Sequence, residues 1–186
     1  MPSPTHPLAS VIPWQISTAS DSSRTKMAKT SRLCSLLLRL LAAAATLCAT
    51  VVMATSHDST TIFGLTLDAK FQYTPSFEFF VVANAVGCGY TLLVLFVPPT
   101  TSLSRLVIVF DVTVAMLLTA ATAAAGAMAQ VGKKGNSHAG WMPICGQVPS
   151  FCDHVTGALI CAFVGVIAYF LIVLHTIYTL LSPLFP

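Results

Sequence analysis

Apolar residues along this chain fall into four long runs, at about 33–54, 77–97, 106–129 and 155–181. Each reaches the roughly 20 residues that carry an α-helix across a hydrocarbon core about 30 Å thick. Backbone N–H and C=O groups in lipid have no water to bond, and a helix satisfies them within its own segment. The period-2 alternation of a membrane-spanning strand does not fit these runs. What remains is tail or connection, with no room for a separate soluble domain. The pattern predicts an all-α membrane protein, a four-transmembrane-helix bundle over residues 33–182.

Composition agrees. Hydrophobic residues make up 55% of the chain and charged residues 8%, with a mean hydropathy of +0.82. A soluble domain carries about a quarter charged residues. The net charge of +3 is small, and no Lys/Arg cluster alternates with aromatics, so a nucleic-acid partner has no support. The first run is too long for the core of a signal peptide and follows a tail of about thirty residues, so it reads as a retained span. The tail, residues 1–32, is rich in Ser, Thr and Pro; a disordered cytoplasmic segment is expected. Met27 opens "MAKTSRLCS" as a natural start would, which makes residues 1–26 a candidate extension of the gene model. Mass spectrometry that detects peptides from before Met27 would remove that reading.

Charge around the runs sets an orientation. Arg24, Lys26, Lys29 and Arg32 crowd ahead of the first span, and the positive-inside rule puts that end in the cytoplasm. Four spans return the C-terminus to the same side, so both termini are expected to be cytoplasmic. Arg105 lies in the short inner link; Lys70, Lys133 and Lys134 lie in the outer loops, and the last two oppose the assignment. Cys145 and Cys152 share the second outer loop. An oxidising compartment lets them pair, and closing so short a loop contributes about 2–2.5 kcal/mol. The alternatives are two free thiols, or a zinc site that adds His138 and His154, although that spacing matches no standard zinc pattern. Cys34, Cys48, Cys88 and Cys161 fall in the spans and read as small packing residues. Cys34, at the cytoplasmic edge, is also a candidate for S-palmitoylation.

Two charges stand deep inside the runs. Arg39 interrupts "LLLRLL" and Asp111 interrupts "VIVFDVTV". An arginine at mid-membrane costs about 2.5–3.5 kcal/mol even on the lenient insertion scale. Arg39 lies seven residues past Arg32, and Asp111 six past Arg105, which is about 10 Å and 9 Å along the two helices. Spans one and three run the same way, so the charges reach matching depth and an ion pair is the natural solution, within one chain or between two. Arg39 alone has the length to reach the headgroups instead. His175 falls near the same level and is the weaker third candidate. Glu78, just past Thr74-Pro75-Ser76, fits the start of a helix.

Chemistry is otherwise sparse. There is no metalloprotease, phosphate-loop or nucleophile-elbow motif, and no proline interrupts a span. No cofactor, metal or small-molecule substrate is expected. Small residues abound, and Gly157, Cys161 and Gly165 recur every fourth position, a spacing that lets helices approach closely.

Four stretches together resemble a plant family, the Casparian strip membrane protein-like (CASP-like) proteins, related to the MARVEL type. They are "LLLRLLAAAATLCATVVMATS" around Arg39, "VIVFDVTVAML" around Asp111, "TPSFEFFVVANAVGCGYTLL" and "GKKGNSHAGWMPICGQVPSFC". The resemblance covers residues 27–182. It implies a non-enzymatic plasma-membrane scaffold that self-associates, or joins related four-span proteins, and organises cell-wall-modifying proteins. The first outer loop, "HDSTTIFGLTLDAKFQYTP", lacks the acidic, Phe-rich signature associated with strip-forming members. The alternative reading is a small transporter or channel that uses Arg39 and Asp111 as a gate or relay.

Overall fold

The computed structural model describes residues 13–62, 65–96 and 101–181. Four long helices dominate it: α1 (Pro13–Ala54), α2 (Pro75–Phe96), α3 (Thr101–Lys134) and α4 (Pro149–Leu181). Each contains a segment long and apolar enough to cross a membrane: Lys29–Ala54, Pro75–Phe96, Leu106–Lys134 and Pro149–Thr179. The chain divides into two compact units, residues 1–36 and 37–186, and the packing described below is that of the second.

Three of the helices begin on a proline. At the first helical position its fixed φ is already right and its missing N–H is not needed. This is why α4 starts at Pro149, ahead of the apolar run expected from 155. The same reasoning corrects the tail. Residues expected to form a disordered segment up to 32 are helical from Pro13 onward, because no further proline or glycine interrupts the stretch into the first span. Residues 1–12 lie outside the described residues. α2 stops at Phe96, two residues ahead of the Pro98-Pro99 pair, where the residue before proline is biased away from helix.

A β-hairpin follows α1, where the sequence suggested only a loop. Strand β1 (His57–Ile62) pairs antiparallel with β2 (Leu65–Lys70), from His57 opposite Lys70 to Ile62 opposite Leu65. The β-branched residues that favour strands are Thr60, Thr61, Ile62 and Thr66. A single 3-10 turn (Phe71–Tyr73) leads into α2.

The membrane helices pack through seams spaced alternately three and four residues apart. Buried positions run Arg39, Ala42, Thr46, Ala49, Met53 on α1 and Asp111, Val114, Leu118, Ala121, Ala125 on α3. On α2 they run Phe77, Phe80, Asn84, Gly87, Thr91. On α4 they are Phe151, Val155, Ala158, Ala162, Gly165, Tyr169 and Ile172. This spacing keeps one stripe of each helix facing its neighbours, as in left-handed bundles. Lipid supplies no hydrophobic drive between such helices, so close fit and hydrogen bonds must hold them. Alanine is therefore prominent in the seams, while large apolar side chains such as Leu93, Met116, Ile160 and Phe170 face outward.

The stripe of small residues on α4 is used within the chain. A Cβ added at Gly165 would lie 3.2 Å from the Thr46 methyl and 3.7 Å from Ala45, and one at Gly157 would lie 3.9 Å from Val52. These contacts run α4 antiparallel to α1, with almost no space between them. Threonines within the spans turn their hydroxyls back to the carbonyl four residues earlier, as Thr46, Thr91, Thr113 and Thr176 do at 2.7–2.8 Å. Their polarity is thereby satisfied inside their own helix.

Candidate functional site

The most polar point of the helical bundle is also among its most buried. Arg39, 7% exposed, faces Asp111, 1% exposed. Arg39 Nη1 donates to Asp111 Oδ1 at 3.1 Å and Nη2 donates to Oδ2 at 2.7 Å. The planar guanidinium thus meets the carboxylate as a two-pronged fork, the strongest form of such a contact. Both residues occupy seam positions, so their helices aim them at each other without distortion. The arginine does not extend toward a headgroup region; both of its terminal nitrogens are engaged on the neighbouring helix.

The third partner comes from α2. The Tyr90 hydroxyl lies 2.9 Å from Asp111 Oδ1 and 3.0 Å from the Val107 carbonyl oxygen. One hydroxyl proton serves these two acceptors, and in either case the ring is fixed against α3. Asp111 therefore receives up to three hydrogen bonds, two of them from the charged guanidinium. Near the same level of α2, a second knot ties in α4. Tyr169 donates its hydroxyl proton to the Gly87 carbonyl at 2.7 Å and also meets the Thr91 hydroxyl. On its other side Gly87 lets α3 come close, since a Cβ there would press on Leu118 at 3.3 Å. Through Arg39, Asp111, Tyr90 and Tyr169, each helix contributes a side chain to a polar layer. His175 lies half-buried on α4, six residues beyond Tyr169.

The opposite end of the bundle is closed covalently. Cys145 and Cys152 form a disulfide with a Cα–Cα distance of 5.7 Å. His154, which the zinc alternative would recruit, places Nδ1 2.7 Å from the Ser150 carbonyl oxygen. Among the described residues no group of three or more His, Cys, Asp or Glu could hold a metal ion. The loop folds back on α3, where the N–H groups of Ile144 and Cys145 both donate to the Gly132 carbonyl. Gly135 turns the chain at φ +69°, and a Cβ there would sit 2.6 Å from the Trp141 carbonyl oxygen, so only glycine fits. Asn136 then caps the short turn at Ser137–Ala139 by accepting from the N–H groups of His138 and Ala139. Behind the disulfide a cavity of about 280 Å³ is lined by Phe77, Met128, Ile144 and Phe151, with Lys133 and Asp153 also in its wall. Glu78 sits in the first turn of α2, where a negative charge complements the helix dipole. Cys34 is exposed, in the first of the two units.

Sequence reasoning missed Tyr90 and Tyr169, since aromatic residues in apolar runs are ordinary. It also treated Cys48 and Cys161 separately, whereas the structure sets their sulfurs 3.0 Å apart. The seam spacing would have revealed Tyr169, which falls in phase with Gly165 and Ile172.

A bundle of four apolar helices, with an acid–base pair sealed between them, defines a multi-pass helical membrane protein. A sequence profile of the Casparian strip membrane protein domain matches residues 28–168. The chain belongs to that family. It is 55% identical over 154 residues to CASP-like protein 1C2 of Vitis vinifera, covering 82% of this chain and 96% of the relative. It is also 55% identical over 159 residues to CASP-like protein 1C2 of Zea mays, covering 85% and 98%. CASP-like protein 1C1 of Sorghum bicolor is 53% identical over 158 residues, covering 85% and 98%. No solved structure matches the chain.

Proposed function

We propose that this chain is a non-enzymatic scaffold of the plasma membrane. It associates with copies of itself or with related four-span proteins, and the resulting membrane domain organises cell-wall-modifying proteins. One observation carries the reading: the Arg39–Asp111 pair is used up internally. Both carboxylate oxygens and both terminal guanidinium nitrogens are engaged, and the two side chains are nearly inaccessible. A gate or relay needs its charges to meet a solute or a proton path. Charges locked to each other instead fix helix register, which is the best attested use of buried ionic groups. The outward faces are lined with Leu, Val, Ile and Phe, a surface suited to lipid and to other apolar helices. Membership of the Casparian strip membrane protein domain family supports the scaffold role, and the basic cluster ahead of the first span supports cytoplasmic termini.

Oligomeric state and transport together test this. Cross-linking in native membranes and native electrophoresis should give discrete oligomers, and proteoliposomes should show no ion or solute flux above empty vesicles. A flux that Asp111→Asn abolishes would overturn the scaffold in favour of a transporter or channel.

A further inference from the structure

Cys48 on α1 and Cys161 on α4 are free thiols whose sulfurs lie 3.0 Å apart, although the residues are 113 positions apart in the chain. The contact follows from the fit of the two helices. Gly157 and Gly165 flank Cys161 one turn away on either side and hold α4 against Val52 and Thr46 of α1. The two sulfurs must close by only about 1 Å to reach disulfide bond length. Their setting differs from that of Cys88, which is buried in the bundle. Cys48 is exposed and Cys161 half-buried, so the pair sits at the outer rim of the α1–α4 seam, open to the lipid. Cys48 lies six residues before the end of α1, about 9 Å from the same end of the bundle that holds the Cys145–Cys152 disulfide.

We propose that Cys48 and Cys161 form an oxidisable dithiol site, which an uncharged, lipid-permeant hydroperoxide converts into a second disulfide tying α1 to α4. In the first step one sulfur attacks a peroxide oxygen. The O–O bond breaks, the thiol proton leaves with the departing oxygen, and for hydrogen peroxide the products are a sulfenic acid and water. In the second step the other thiol attacks the sulfenic sulfur, and the S–O bond breaks with release of a second water. Two thiols lose two electrons in all, and one peroxide gains them. The neighbouring thiol, already in contact, intercepts the sulfenic acid before further oxidation. A lipid-soluble thiol reductant reverses the bond by exchange.

The test uses the full-length protein in native membranes, treated with hydrogen peroxide or tert-butyl hydroperoxide, alkylated, and digested without reduction. Mass spectrometry should find the Cys48 and Cys161 peptides joined, with loss of alkylation at both. Non-reducing electrophoresis should keep the protein at monomer mobility. Cys48→Ser and Cys161→Ser should each abolish that linkage and keep the Cys145–Cys152 one. The proposal is overturned if both cysteines are recovered separately alkylated or as sulfinic and sulfonic acids. Linkage of the two peptides only in a dimer band would also overturn it.

Discussion

At the scale of single residues, the consequence of Arg39 and Asp111 is that neither tolerates loss of the other. Removing one leaves a charge buried and unpaired, a change that costs about 3–5 kcal/mol in comparable buried pairs. Arg39→Ala and Asp111→Ala should each lower the thermal stability of the detergent-purified protein and reduce its delivery to the cell surface. The exchange Arg39→Asp with Asp111→Arg should recover part of both. Wild-type behaviour of both single variants would show that the pair matters little. Tyr90→Phe removes a neutral donor to the charged carboxylate, and its expected cost is smaller, about 1.5–3 kcal/mol. These roles differ in how far they can be read from the sequence. A charge in an apolar run is conspicuous, and helix rise alone puts Arg39 and Asp111 at one depth. Tyr90 is silent in the sequence, because its role depends on which way α2 is turned and an aromatic residue suits lipid as well as a hydrogen bond.

At the scale of elements, helix positions were legible from hydropathy and the start of α2 from Pro75, whereas the starts at Pro13 and Pro149 lie outside the apolar runs. The hairpin was not, because its twelve strand residues mix Thr, Asp and Lys with a few apolar ones and compete with an ordinary loop. The small-residue stripe was legible as a stripe, but its partner was not, since close approach serves a neighbour within the chain as well as a second chain. The structure assigns it to α1, and this makes a prediction. Gly165→Leu would drive a branched side chain into Thr46 and Ala45, and overpacking of this kind costs about 1–3 kcal/mol. The expected result is a lower melting temperature, together with slower formation of the Cys48–Cys161 linkage as the helices part. A variant that melts like wild type would mean that α1 yields at this contact. At Gly135 the constraint is on backbone and space together, so Gly135→Ala should loosen the loop that carries the disulfide, seen as faster hydrogen exchange of the Trp141 and Ile144 amides.

At the scale of the whole molecule, the two ends of the bundle are secured differently: a polar layer toward one, a disulfide-closed loop and a hairpin at the other. The sides they face can be tested through the cysteines. If the loop end is extracellular, Cys145 and Cys152 should resist a membrane-impermeant thiol reagent on intact, unreduced cells and label only after reduction. Labelling without reduction would show that the bond is absent in the cell. The separation of Arg39 from Asp111 has a further consequence, during synthesis. The two are 72 residues apart, so at about 5–20 residues per second the arginine is made about 4–14 s before its counter-ion. The first span must therefore enter the membrane carrying an unmatched charge, with Arg39 reaching for the headgroups until the third span arrives. Pairing then joins the first and third spans before the fourth, which begins at Pro149, has been made. In a chain without Asp111 the arginine keeps no counter-ion after every span has been made, which leaves an unmatched charge in the bilayer where cellular quality control can meet it.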